Sequence, residues 1–262
     1  FQGYTLTEVS SAISCNTMEA HKLGTSGRML PNLSCRILNS GGYPTGIGEA
    51  GEICVEGPLV MKGYFKNEDA AQEALRSGWL STGDMGYVDE DGFLVVTGRK
   101  ANLLASPDGA RFSPEIIEEA IMSSSPFFRQ VLVYSSRGRP PCALVVLDES
   151  HLAALAEKKR FTARGEAMAE VVDAFFAYTR EGFWQKRIPP AWRPVTFRVL
   201  EEGFCAEAGT LNAARKMVRE RIIRSSQQIL ESMYAAGEDS PASEANLETV
   251  WRLIQKTLGV KV

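Results

Sequence analysis

Histidine is almost missing from this chain: only His21 and His151 occur in 262 residues, far apart from one another. Cysteine is nearly as sparse, since Cys15, Cys35, Cys54, Cys142 and Cys205 are odd in number, widely spaced and never arranged as CxxC. A zinc site built from clustered Cys and His is therefore not expected, and the thiols read as reduced intracellular residues, not a disulfide framework. No apolar run approaches the ~20 residues needed to span a bilayer, and the first residues lack a signal-peptide pattern. A cytoplasmic protein is expected, with peripheral membrane contact as the alternative. A basic excess is also absent: Lys and Arg number 29 against 32 Asp and Glu, for a net charge of −3, which argues against a nucleic-acid partner. What is present is a 44% hydrophobic composition, ample for packed cores in two domains or one large one. No internal repeat is evident.

The most informative stretch is Trp79-Leu80-Ser81-Thr82-Gly83-Asp84, followed by Gly98-Arg99-Lys100. Between them, two strand-like runs flank Asp89-Glu90-Asp91-Gly92, a hairpin turn that should return Arg99 to the Asp84 end. A buried carboxylate can accept both vicinal hydroxyls of a ribose, and a nearby guanidinium can donate to ribose or phosphate oxygens. An isolated Asp–Arg pair more often just ties a hairpin together, so a nucleotide reading needs support from elsewhere. Two glycine-rich segments do not supply it. Lys22-Leu23-Gly24-Thr25-Ser26-Gly27-Arg28 leads to Pro31 and strand-like Ser34–Leu38 instead of opening a helix, which a phosphate cradle usually needs. Gly46-Ile47-Gly48-Glu49-Ala50-Gly51 is a literal GxGxxG, but the alternating pattern of a strand follows it, so it reads as turn chemistry.

Support comes from Gly3-Tyr4-Thr5-Leu6-Thr7-Glu8 at the start and Gly209-Thr210-Leu211-Asn212 followed by Lys216 and Arg219 near the end. In this order the series resembles the adenylate-forming enzymes (acyl-CoA synthetases, carrier-protein adenylation domains and luciferases) and is most similar to the long-chain fatty-acid–CoA ligases. The resemblance runs from residue 1 to about residue 230, over only the later half of such an enzyme. The family's phosphate loop should precede residue 1, so a missing N-terminal half, in cis or in trans, is an implied partner. The resemblance implies that Tyr4 stacks on adenine, Thr7 lies near the α-phosphate, Glu8 is the magnesium-associated carboxylate, and Asp84 and Arg99 hold the nucleotide. Lys216 matches the adenylation lysine, with Asn212 in place of the usual Thr and Arg215 a near competitor. An ammonium there would stabilise the charge that builds when a carboxylate attacks the α-phosphorus. Arg215, Arg219, Arg221 and Arg224 read as the solvated face of a basic helix. Gly109, in Ser106-Pro107-Asp108-Gly109-Ala110, matches a turn approaching the pantetheine arm of coenzyme A; an ordinary Pro-Asp-Gly turn is an equal reading.

The implied fold is α+β: a distorted β-barrel remnant of the large adenylation domain over residues 1–99, then a small, mobile α+β catalytic domain over 103–236 with a three-stranded sheet and flanking helices. Residues 100–102 would be the hinge, although Ala101 and Asn102 stand where the family has polar residues. Residues 237–262 read as a linker and a helix. Ser113-Pro114-Glu115 starts a helix with Ser113 as N-cap and Ile117, Ala120 and Ile121 on one face. Residues 149–187 read as two helices, the second carrying Val171, Val172, Phe175, Phe176, Phe183 and Trp184. Leu247, Val250, Trp251, Ile254 and Leu258 share one face of the last helix, for docking on the chain's own surface or on a partner or membrane. The implied activity is ATP- and Mg2+-dependent conversion of a fatty acid to acyl-AMP and transfer to coenzyme A. Transfer to an acyl carrier protein and a non-catalytic nucleotide-binding relative are the alternatives.

Overall fold

The computed structural model describes residues 2–136, 138–180, 182–235 and 240–259. They form two compact units that divide between Leu103 and Leu104, just past the residues 100–102 read as a hinge. Part of the expected linker, residues 237–239, lies outside the described residues.

In the first unit, β1 (Gly3–Leu6) pairs with β2 (Ser11–Cys15), which pairs with β3 (Arg28–Met29), all antiparallel. A second sheet holds β4 (Ser34–Leu38), β5 (Gly51–Glu56), β6 (Leu75–Arg76), β7 (Trp79–Val88) and β8 (Leu94–Arg99), with α1 (Glu68–Ala74) leading into β6. Its order is β4-β5-β7-β6, and β8 also pairs with β7. The expected barrel remnant takes the form of open sheets, none of them closed among the described residues. Ile13, Ile37, Ile53, Val55, Leu80 and Leu94 bury a common core. Along β7 burial alternates with period two, so Leu80, Thr82 and Asp84 all face inward. The Asp89–Gly92 turn closes through Gly92 N–H donating to Asp89 O at 2.9 Å, with Phe93 N–H on Asp89 Oδ1 at 2.8 Å.

The Lys22–Arg28 segment is bound into this unit as structure. Ser26 N–H donates to Leu94 O at 2.7 Å and Leu94 N–H to Gly27 O at 2.9 Å. A Cβ on Gly27, whose φ is +88°, would sit 1.9 Å from the Cys15 carbonyl carbon, so only glycine fits this approach. Lys22 Nζ bonds Asp89 and Asp91 at 2.7 and 2.6 Å, which commits the one amine that could have met a phosphate.

The second unit begins with the short hairpin of β9 (Leu104–Ala105) and β10 (Arg111–Phe112), then α2 (Pro114–Ser124). Ser113 stands at the N-cap position, but its side chain makes no capping hydrogen bond. A three-stranded sheet follows in the order β11 (Phe128–Tyr134), β12 (Cys142–Leu147), β13 (Thr196–Leu200). β12 and β13 are parallel, which requires a crossover. Three helices supply it: α3 (Glu149–Lys159), α4 (Arg164–Phe175) and α5 (Phe183–Arg187). The sequence reading of two helices is corrected here. α4 ends at Phe175, a 3-10 turn over Ala177–Thr179 follows, and Phe183 and Trp184 belong to α5. Phe175 stays in the core, its ring 4.3 Å from that of Phe197.

Every residue of β12 is buried, as a strand covered on both faces must be. One face meets α2, α4 and α8 (Glu244–Thr257); the other meets Phe204, from the loop after β13, together with Ile222 and Leu230, brought by α6 (Arg219–Ser225) and α7 (Gln227–Ser232). α8 packs on α3, α4 and β13 with Val250, Leu253 and Ile254 inward, so the chain itself covers most of its apolar face, while Leu258 at its end stays exposed. Ion pairs from Glu244 to Arg164 (3.0 Å) and from Lys256 to Glu149 (3.1 Å) flank it. No helix among the described residues is long and apolar enough to cross a membrane.

Asn246, fully buried at the start of α8, accepts from Val199 N–H at 2.9 Å and donates to Phe197 O at 2.7 Å and Pro241 O at 2.9 Å. It completes the edge of β13, and no apolar residue can take over those bonds. Asn246→Leu should lower the unfolding free energy by ~3 kcal/mol, because it strands buried backbone groups. The shift in urea midpoint measures the loss, and an unchanged midpoint would remove Asn246 as the anchor of α8.

Candidate nucleotide and lysine sites

Asp84 lies on the inward face of β7, opposite Arg99 of β8 in the ladder. Both its oxygens are engaged: Tyr4 Oη donates to Oδ2 at 2.5 Å, and Arg99 Nε to Oδ1 at 2.7 Å. Thr82 braces the strand, donating to Ile53 O at 2.7 Å and accepting from Asp84 N–H at 3.1 Å. Burial first, and then the bond to Asp84, hold the Tyr4 phenol well above its ordinary pKa. The Asp84 side chain is only 7% exposed while that of Arg99 is 55% exposed, so the group runs from the core to the surface. Tyr4, 80 positions away in sequence, thus joins the Asp84–Arg99 hairpin pair at one carboxylate, with its ring packed among the core residues.

Thr7 and Glu8 follow β1 in a 3-10 turn, Thr7 exposed and Glu8 half-buried. Glu8 Oε1 accepts from Tyr64 Oη at 3.0 Å, and Glu8 O accepts from Met61 N–H at 2.7 Å. No group of three or more His, Cys, Asp or Glu suited to a metal occurs among the described residues. Glu8 alone fits a Mg2+ that takes most of its ligands from water and substrate phosphates, which is how this ion is usually held. After Arg99, residues Lys100–Asn102 make a 3-10 turn, and Lys100 Nζ pairs with Glu52 at 2.7 Å.

In the second unit, Lys216 is exposed on a loop, not on the basic helix that its neighbours suggested; α6 starts only at Arg219. Asn212 shapes this loop. Its Oδ1 accepts from Ala214 N–H at 3.0 Å and from Lys216 N–H at 2.9 Å, and its own N–H donates to Lys216 O at 2.9 Å. Arg215 adopts φ +57° at the bend. Arg219 is a second correction. Read as solvated, it is 12% exposed and donates through both terminal nitrogens, at 2.8 and 2.5 Å, to Oε1 of Glu118, whose side chain is 4% exposed. The same oxygen accepts Val133 N–H at 2.6 Å. Sequence reasoning passed over Glu118, although it lies four residues after Pro114 and three before Ile121, on the face that α2 buries.

Gly109 sits at a turn with φ +84°, and a Cβ there would meet nothing within 4 Å. Its N–H donates to Ser106 O at 2.9 Å, Ser106 N–H to Ala110 O at 2.9 Å, and Ser106 Oγ bonds Asp108. Within this chain the left-handed turn alone accounts for the glycine.

A family model described as "AMP-binding enzyme" matches residues 1–65. Among curated proteins, the long-chain-fatty-acid–CoA ligase FadD15 of Mycobacterium bovis is 28% identical over 247 residues, covering 89% of this chain and 38% of that protein. The 2-succinylbenzoate–CoA ligase of Bacillus velezensis is 40% identical over 157 residues, 57% of this chain and 31% of that one. Among solved structures, O-succinylbenzoate coenzyme A synthetase (MenE) from Bacillus subtilis, in complex with ATP and magnesium ion, superposes with a TM-score of 0.61 at 31% identity, covering 84% of this chain and 40% of that one. Over the part of the chain that these matches cover, it belongs to the adenylate-forming superfamily, of the acyl-CoA ligase type. The chain spans 38% of the M. bovis relative's length and 40% of the B. subtilis one's.

Burial pushes the Glu118 carboxyl up to about 7, against the opposing pull of the Arg219 guanidinium and the Val133 N–H. A raised folded-state value means that the folded chain holds a proton the unfolded chain has released. The associated stability is full below about pH 4.3 and is lost as pH rises through about 7. Glu118→Gln should flatten this descent in a melting-temperature profile between pH 4.5 and 7.5; a profile as steep as the parent's would assign the slope to another group.

Proposed function

We propose that this chain is the C-terminal part of an AMP-forming acid–thiol ligase that activates a fatty acid as acyl-AMP and passes the acyl group to coenzyme A. The observation that carries the reading is the Tyr4–Asp84–Arg99 constellation, a nearly buried carboxylate reached by a guanidinium that opens to solvent. Ribose offers two adjacent hydroxyl donors, and such a carboxylate is a natural acceptor for them. Arg99 is placed to donate to ribose or phosphate oxygens. Tyr4, its ring in the core, holds Asp84 through its hydroxyl, while Thr7 supplies a hydroxyl for the α-phosphate and Glu8 a carboxylate for Mg2+, which when bound spreads the phosphate charge. Lys216 carries the first half-reaction: its ammonium favours the transition state in which the acid's carboxylate attacks the α-phosphorus and pyrophosphate leaves. Gly109 would lie by the pantetheine arm in the second half-reaction. The chain works with an N-terminal half in cis or in trans that holds the phosphate loop, and the turn at 100–102 is the pivot between its units.

A fatty acid is favoured because the similarity to long-chain ligases extends over 89% of the chain. The higher identity to succinylbenzoate ligases, 40% over 57% of the chain in one relative and 31% over 84% in the solved structure, supports an aromatic acid as the second reading. Pyrophosphate release by the complete protein, screened over fatty and aryl acids with coenzyme A or acyl carrier protein as acceptor, separates these. Release with fatty acids and free coenzyme A is expected, and nucleotide binding without any release would favour a non-catalytic relative.

In the same complete protein, Lys216→Ala should reduce acyl-adenylate formation at least about a hundredfold, while thioesterification of supplied acyl-adenylate survives. An equal loss of both half-reactions would count against the role of Lys216, and an intact first step would end it.

A further inference from the structure

The loop that carries Lys216 has almost nothing of its own to hold it in place. From Asn212 to Lys216 every residue is exposed, and the loop's internal bonds define its shape but not its position on the unit. Position comes from its two ends, which Val218 N–H joins by donating to Thr210 O at 2.9 Å and which Leu211 and Met217 seat against the core. On the entering side, Thr210 Oγ1 accepts from Cys205 N–H at 2.8 Å and donates to Cys205 O at 3.0 Å. On the leaving side stands Arg219, three residues after the lysine, whose fork closes on a single oxygen of Glu118. That oxygen is itself held by the Val133 N–H of β11, so the fork is referenced to the central sheet through α2.

A buried ion pair is weak evidence of stability, because an uncharged, well-packed replacement is often as stable. Its distinctive property is geometry: a planar guanidinium bonding through two nitrogens fixes direction as well as distance, which an ammonium on a flexible stem does not. We infer that Glu118, acting through Arg219, is a positioning residue for Lys216: the buried pair sets where the lysine's loop runs into α6 and hence where its ammonium can reach. The inference rests on the adenylation role proposed for Lys216. Neither Glu118 nor Arg219 touches substrate in this account. They act only through the loop, so their removal should impair the half-reaction that uses Lys216 and spare the other.

The test uses the complete protein with three variants: Arg219→Lys, the double change Glu118→Gln with Arg219→Met, and Lys216→Ala as reference. The double variant removes both charges while leaving an acceptor for Val133 N–H, so its melting temperature should stay near the parent's. Its kcat for adenylation should nevertheless fall ~100-fold, the scale of a loss from displacing a reacting group by about 1 Å. KM for ATP and thioesterification of supplied acyl-adenylate should not move, and Arg219→Lys should fall between parent and double variant. Parental adenylation by the double variant would overturn the inference. So would losses in which both half-reactions decline together with the folded fraction, since that is what a purely structural pair gives. If Lys216→Ala leaves adenylation intact, the proposed function itself fails; if Lys216→Ala abolishes it while the pair variants do not matter, only the positioning role falls.

Discussion

A buried carboxylate must be answered by a donor, and each unit of this chain is organised around one such demand. Asp84 points into the core because β7 alternates with period two, and once there it draws Tyr4 from the first strand and Arg99 from the next. An uncompensated ionised carboxylate in that position would be far too costly to keep. The same constraint therefore ties β1 to the β7–β8 hairpin and brings together the groups suited to a nucleotide. Glu118 does in the second unit what Asp84 does in the first, on a helix instead of a strand. Its burial on the apolar face of α2 is answered by Arg219 and by a backbone N–H of the sheet.

The two sites differ in how they meet solvent. The Asp84 cluster grades from core to surface through Arg99, the arrangement expected where a polar ligand is received. The Glu118–Arg219 pair is closed, and the group with potential chemistry, Lys216, lies outside it on an exposed loop. On this unit a closed anchor thus stands beside an open lysine. The second unit supports that anchor with a sheet buried on both faces and with α8, which covers the crossover helices and satisfies the edge of β13 through Asn246.

Legibility in the sequence followed the range of the interactions. The β7–β8 hairpin was readable because alternation and an Asp-Gly turn are local, and the meeting of Asp84 with Arg99 follows from the turn alone. The start of α2 was readable for the same reason. The break of α4 at Phe175 was not, because the apolar stripe runs on through Phe183 and Trp184 and only the packing of the crossover divides it. Arg219 was misread as solvated since its partner lies 101 residues earlier. The expected barrel was carried over from a resemblance, and strand pairing gave open sheets instead.

By itself, the sequence determined the local geometry, the order of the motif series and the residues with chemistry to offer, all of which depend on neighbours within a few positions. It also carried the likeness to acyl-CoA ligases, which rests on that order. Only the tertiary structure decided which polar groups are buried and what answers them: Tyr4 with Asp84, Arg219 with Glu118, Asn246 with the backbone of β13. The physical reason is that burial is a property of the packed unit. A charged side chain reads as solvated until the elements that cover it are assembled, and only then does its need for a partner become a constraint on the fold.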